Sequence, residues 1–168
     1  KGTFVNDAVW FIPADSKYLL GILNSKTGWY LISNFCTEIQ NGYQLIYDYM
    51  KNIPIAIPTE EQEKEISGKA DKMIELNKTL LNISSKFISY ISDKWKLEKI
   101  SGKIEEFYLY DFSNLLKELK KQKIVLQGME EYSLKEIFDS ERAKIEELKK
   151  EIEKTDKEID KMVYELYG

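Results

Sequence analysis

No proline occurs after residue 58. The chain of 168 residues has three, at 13, 54 and 58, so everything downstream lacks the side chain that most reliably breaks a helix from within. In that region Met73, Leu76, Leu80, Ile83, Phe87 and Tyr90 recur at alternating intervals of three and four. Ile74, Leu81, Ile88, Ile91 and Trp95 widen the stripe. The pattern predicts one long amphipathic helix from Glu60 to about Trp95. Ile145, Leu148, Ile152, Thr155, Ile159, Met162 and Leu166 repeat the alternation and predict a second. Each stripe reaches the three heptads at which a coiled coil becomes the natural reading, so the two are expected to pack antiparallel. Between them, Phe107–Leu119 and Tyr132–Phe138 read as shorter helices joined by a loop near Gln127-Gly128.

The stretch NIPIAIPTEEQEKEI, residues 52–66, marks where the first long helix begins. Pro54 and Pro58 hold φ near −65° and push Ile53 and Ile57 to extended geometry. Proline cannot donate to a sheet ladder, so 53–57 is expected as an edge strand or extended segment. The alternation Ile53, Ile55, Ile57 would put three isoleucines on one face. Thr59 and Gln62 have the spacing of a capping box, and Glu60 and Glu61 suit the positive end of the helix dipole.

Residues 1–58 read as a small mixed α/β head and 59–168 as a helical, coiled-coil-like region, an α+β chain overall. The head holds 10 of the 21 aromatic residues in about a third of the length. Ala8–Ile12 predicts a buried strand ending at Pro13, and Asp15 or Ser16 caps a helix over Lys17–Leu23 with Leu19, Leu20, Ile22 and Leu23 inward. Asn24-Ser25 interrupts it, Thr27-Gly28 reads as a turn, and Trp29–Phe35 is helical or extended. Asn41-Gly42 is the strongest turn signal, with a strand over Tyr43–Tyr49. Trp10, Phe11, Trp29, Tyr30 and Phe35 are expected to form the core.

Composition removes several chemistries. There is no histidine and a single cysteine, Cys36, so Ser-His and Cys-His nucleophiles and a tetrahedral zinc site of the usual ligands are excluded. One cysteine forms no internal disulfide and fits a reducing cytoplasm. No apolar run has the length of a membrane span. Glu118-Leu119-Lys120 and Glu147-Leu148-Lys149 match the E-x-K of metal-dependent nucleases, but both sit on helices dense in Glu and Lys, and no strand presents them. No glycine-rich phosphate loop occurs, and no Asn-Pro-Pro-Tyr motif. No catalytic residue, metal ligand or cofactor site is assigned. The first residue is Lys1, which predicts a fragment of a longer protein.

Charge argues against a strongly basic footprint. The net charge is −4, and the head balances Lys1, Lys17, Lys26 and Lys51 against four acids. If the head meets DNA, Lys17, Lys26 and Lys51 are the candidates for phosphate contact, with Thr27 beside Lys26. Asn24, Asn34, Asn41 and Gln44 are the candidates for base edges, because an amide pairs bidentately with adenine. The same amides suit turns and caps, their commoner use at such places.

LLGILNSKTGWYL (19–31), followed by YQLIYDYMKNIPIAIPTEEQEKEI (43–66), resembles the TaqI-like C-terminal specificity domain of adenine-specific DNA methyltransferases and fused restriction-modification enzymes. The end of the chain, IEELKKEIEKTDKEIDKMVYELYG (145–168), is similar to the end of such enzymes. The type I restriction specificity subunit closes its recognition domains in a related way. The resemblance implies a non-catalytic target-recognition head that binds double-stranded DNA. It also implies an upstream methyltransferase domain that holds S-adenosylmethionine and modifies adenine N6. The helices would dock on the rest of the enzyme or pair between two copies. The rival expectation is a coiled-coil protein-interaction module with no DNA contact, which the acidic balance favours.

Overall fold

A computed structural model describes residues 12–168. The strand expected over Ala8–Ile12, and the core roles of Trp10 and Phe11, fall outside the described residues apart from Ile12, which is exposed coil. The described chain is mostly helical with one two-stranded antiparallel sheet, α+β in its coarse form. It forms two compact units: residues up to 73 together with 155–168, and residues 74–154. No helix among the described residues is long and apolar enough to cross a membrane.

In the first unit, α1 (Lys17–Asn24) is capped by Ser16, whose hydroxyl accepts the Leu19 N–H at 3.1 Å. Its buried face is Tyr18, Gly21 and Ile22, whereas Leu20 is exposed, which corrects the leucine-lined face expected from the sequence. The reason is close packing at glycine: a Cβ on Gly21 would lie 2.7 Å from Ile66 Cγ2. Helix α2 (Lys26–Phe35) follows after one residue. Ser25 ends one helix and starts the next; its hydroxyl donates to Ile22 O at 2.7 Å and accepts the Gly28 N–H at 3.0 Å. Thr27-Gly28, expected as a turn, is therefore the first turn of α2.

Strands β1 (Thr37–Ile39) and β2 (Gly42–Gln44) form a hairpin in the register Thr37↔Gln44, Glu38↔Tyr43, Ile39↔Gly42. The strand expected over Tyr43–Tyr49 stops at Gln44, and Tyr47–Met50 is a single helical turn, α3. Its pairing partners run out: beyond Thr37 the opposite chain is already the end of α2 at Cys36. Asn52 and Ile53 still turn back onto α3, their N–H groups donating to Tyr49 O and Met50 O, and residues 54–59 have no regular secondary structure and join no sheet. Two tyrosines satisfy this backbone instead. Tyr167 Oη accepts the Ala56 N–H at 3.1 Å and donates to Pro54 O at 2.9 Å, and Tyr18 Oη donates to Ala56 O at 2.8 Å. Ile53 is buried, but Ile55 and Ile57 are exposed, so the expected isoleucine face does not form.

Helix α4 (Glu60–Trp95) starts as its sequence requires. Gln62 Oε1 accepts the Thr59 N–H at 2.9 Å, and Thr59 Oγ1 accepts the Gln62 N–H at 3.3 Å. Within this unit Ile66 packs with Tyr18, Ile22, Ile159 and Val163. The last stretch of α7 (Met129–Tyr167) runs antiparallel to the start of α4, because Glu158 pairs with Lys69 while Tyr167 reaches Pro54. A second small core, Leu31, Ile32, Cys36 and Ile53, lies under the hairpin with Tyr43 and Met50 against it. Burying each such aliphatic side chain stabilises by about 1.5–3 kcal/mol.

The second unit is built around Phe87, Ile91, Phe107, Leu134, Phe138 and Ile145. The rings of Phe87 and Phe107 lie 4.2 Å apart by centroid, and Phe107 is 5.6 Å from Phe138. The single helix expected over Phe107–Leu119 is broken into a 3-10 turn, Phe107–Leu109, and α6 (Phe112–Lys121), preceded by the short α5 (Gly102–Glu105). Asp111 makes the break: its Oδ1 accepts the Asn114 N–H at 2.9 Å and the Ser113 hydroxyl at 2.7 Å, so a new helix starts there. Tyr132–Phe138 is not separate but part of α7. Residues 139–144 contain no glycine or proline, and the Arg142–Glu146 pair supports the continuous helix. The apolar stripe of α4 is narrower than expected, since Leu81 is exposed.

Candidate nucleic-acid interface

The feature most able to present side chains outward is the β1–β2 hairpin. Tyr43 and Glu38 share one face of it and Thr37, Ile39, Gly42 and Gln44 the other, because paired residues project to the same side. Tyr43 turns inward onto the Leu31–Ile53 core and meets the Trp29 ring edge-on at 5.5 Å. The opposite face is therefore the open one: Thr37, Ile39 and Gln44 are all exposed. The loop residues Gln40 and Asn41 keep negative φ, and the glycine conformation falls on Gly42, at φ +153°. The turn thus sits one residue earlier than the Asn-Gly signal suggested. β1 escaped the sequence reading because Thr-Glu-Ile carries no alternating apolar pattern. The hairpin rule, which needs a strand on both sides of Asn41-Gly42, was the signal that could have found it.

The sequence-nominated residues separate into two groups. Asn41 at the hairpin tip and Gln44 on its outer face are exposed, and among the described residues neither amide has a hydrogen-bond partner. The other two amides are used locally: Asn24 Nδ2 donates to Leu20 O at 2.9 Å and Asn34 Nδ2 to Tyr30 O at 2.7 Å. Each lysine has a carboxylate beside it. Lys17 lies 3.8 Å from Asp71, and Lys51 lies 2.8 Å from Asp48 with its ammonium over the Tyr47 ring. Lys26 pairs with Asp160 at 2.9 Å, and its backbone N–H also donates to Asp160 Oδ1 at 2.8 Å. Asp160 thereby fills the anion-favouring start of α2. The Asp160 hydrogen bond raises the Lys26 pKa, and the Asp48 hydrogen bond raises that of Lys51, so both remain cations.

Lys26 and Thr27 line a cleft of about 450 Å³ with Tyr30, Leu31, Tyr164 and Tyr167. Trp29, Tyr30 and Phe35, expected in the core, are exposed instead. Helix α2 buries Gly28, Leu31 and Ile32, so its aromatic residues fall on the solvent side. Tyr47 is exposed as well. Among the described residues no group of acidic, cysteine or histidine side chains has the arrangement to hold a metal ion.

Residues 59–163 match the model of a family described as a domain of unknown function, DUF8810. The match begins at Thr59, the cap of α4, and leaves the hairpin and α1–α3 ahead of it. No curated protein and no solved structure matches the chain.

Proposed function

The chain belongs to the DUF8810 family, and we propose that in this member the residues ahead of the matched helices read DNA sequence for a site-specific adenine-N6 methyltransferase. In this reading these residues carry no catalysis. The parent's catalytic motif and S-adenosylmethionine pocket belong to other parts of the enzyme, with or without a fused endonuclease. The helical residues 59–168 serve as a coiled-coil-like stalk that docks on it. The observation that supports this most is the hairpin: a two-stranded ribbon is one of the shapes the major groove admits, and this one offers two unpartnered amides, Asn41 and Gln44. The resemblance of 19–31 and 43–66 to TaqI-like specificity domains points the same way. The test is a gel-shift series at low salt with duplexes of varied sequence. Asn41→Ala is expected to change the preference among sites more than the mean affinity; uniform weakening would remove Asn41 from the reading set.

A second reading, a protein-interaction module without DNA contact, is favoured by one observation. Lys17, Lys26 and Lys51 are each offset by a neighbouring carboxylate, while Trp29, Tyr30 and Tyr47 stand exposed. If the chain retards no duplex at low salt, that reading replaces the first.

A further inference from the structure

The outer face of the hairpin carries more than one amide. Thr37 and Gln44 are cross-strand partners, and Ile39 faces Gly42, which has no side chain to cover it. Ile39 is thus 53% exposed on this face. No charged residue shares this face, since Glu38 projects to the other side with Tyr43. A face meant for phosphates would hold lysine or arginine; one meant for a hydrophobic protein surface would not put glutamine and threonine beside its one isoleucine. A carboxamide, a hydroxyl with its methyl, and an aliphatic side chain together match the edge of an A·T pair. Adenine shows N7 and N6 to an amide, and thymine shows a methyl group to an apolar side chain. Thr37 and Ile39 are two residues apart along the strand, about 7 Å, close to two base-pair steps.

Resting on the DNA-recognition reading, we infer that this face reads A·T pairs in the major groove, Gln44 bonding adenine and Ile39 and Thr37 contacting thymine methyls. Gly42 also fits the turn, since a side chain there would strain a backbone at φ +153°.

The test uses the full chain and a library of labelled duplexes with a randomised centre. Sites enriched by binding are resynthesised with 7-deazaadenine, which lacks N7, or with uracil for thymine, which lacks the methyl. The expected result is a loss of about tenfold in affinity for 7-deazaadenine at one position and a several-fold loss for uracil at a position nearby. Gln44→Ala should abolish the first sensitivity and Ile39→Ala the second, with thermal unfolding unchanged because both side chains are exposed. Glu38→Gln, on the opposite face, should leave both in place. Sequence-selective binding that ignores either analogue, or sensitivity that survives both substitutions, overturns this assignment and leaves DNA recognition standing. Failure to bind any duplex overturns the recognition reading as well.

Discussion

Gly28 lies against the carbonyl of Ile22 so closely that a Cβ on it would come within 2.0 Å of that oxygen. The contact joins the last turn of α1 to the first turn of α2, with Ser25 bonded to both. Backbone meets backbone here, so no side-chain rotation relieves an added methyl. Gly28→Ala is expected to destabilise by about 3 kcal/mol, the upper end of the ordinary range for overpacking, or to displace α2. Urea denaturation of the full chain measures it. A loss below 1 kcal/mol would mean that the helices can separate without cost.

Tyr167 closes the proline segment from the other end of the chain. Tyr167→Phe removes the acceptor for Ala56 N–H and the donor to Pro54 O while keeping the ring. Two hydrogen bonds of ordinary net worth predict a loss of about 1–2 kcal/mol. Amide exchange should speed up at Ala56 in particular; unchanged exchange there would show that the bond does not hold the segment.

Glu118 in α6 makes the second unit sensitive to acid. The hydrogen bond from Lys121 lowers its pKa, with a further contribution from Ser101, and partial burial opposes them. A carboxyl whose folded pKa is depressed contributes stability that is complete above its unfolded value, about 4.3, and disappears as pH falls through the folded value. Wild type should therefore lose more stability than Glu118→Gln over that acidic interval and no more above it. Parallel curves for the two proteins would remove Glu118 as the source.

Lys123 sits at φ +63°, just past the end of α6, where glycine is the unstrained residue. Lys123→Gly is expected to raise stability by up to about 1 kcal/mol. A fall in the thermal midpoint would show that the lysine side chain contributes more than its backbone strain costs.

For Lys26 the prediction concerns binding. Lys26→Ala keeps the backbone N–H that bonds Asp160 and so should keep the start of α2. Affinity for every duplex should fall alike, and the slope of log affinity against log salt should flatten by about one. An unaltered slope would mean that Asp160 already holds this cation away from phosphate.

Much of the helical part was legible along the chain. The Thr59–Gln62 box, the span of α4 to Trp95 and the Gly128 turn follow from residues adjacent in sequence, and each forms as those residues require. The helix break at Asp111 was not legible, because an aspartate in a helical pattern acts as a cap only if its carboxylate meets the next turn's N–H. The candidate site divides the same way. Asn41 and Gln44 were visible as polar residues at a turn, but the face that Gln44 shares with Thr37 and Ile39 depends on pairing with β1, whose Thr-Glu-Ile carries no apolar alternation of its own.

What residue order alone determined is therefore what lies within a turn or two of itself: helix period, caps, and the absence of histidine chemistry. Tertiary structure decided which face turned inward. α1 packs on Gly21 rather than its leucines, α2 exposes Trp29 and Tyr30, and the lysines meet Asp71 and Asp160 from distant parts of the chain. The physical reason is that burial and ion pairing depend on what approaches from elsewhere, and a spot where a glycine admits a neighbour can outweigh a whole row of larger apolar side chains.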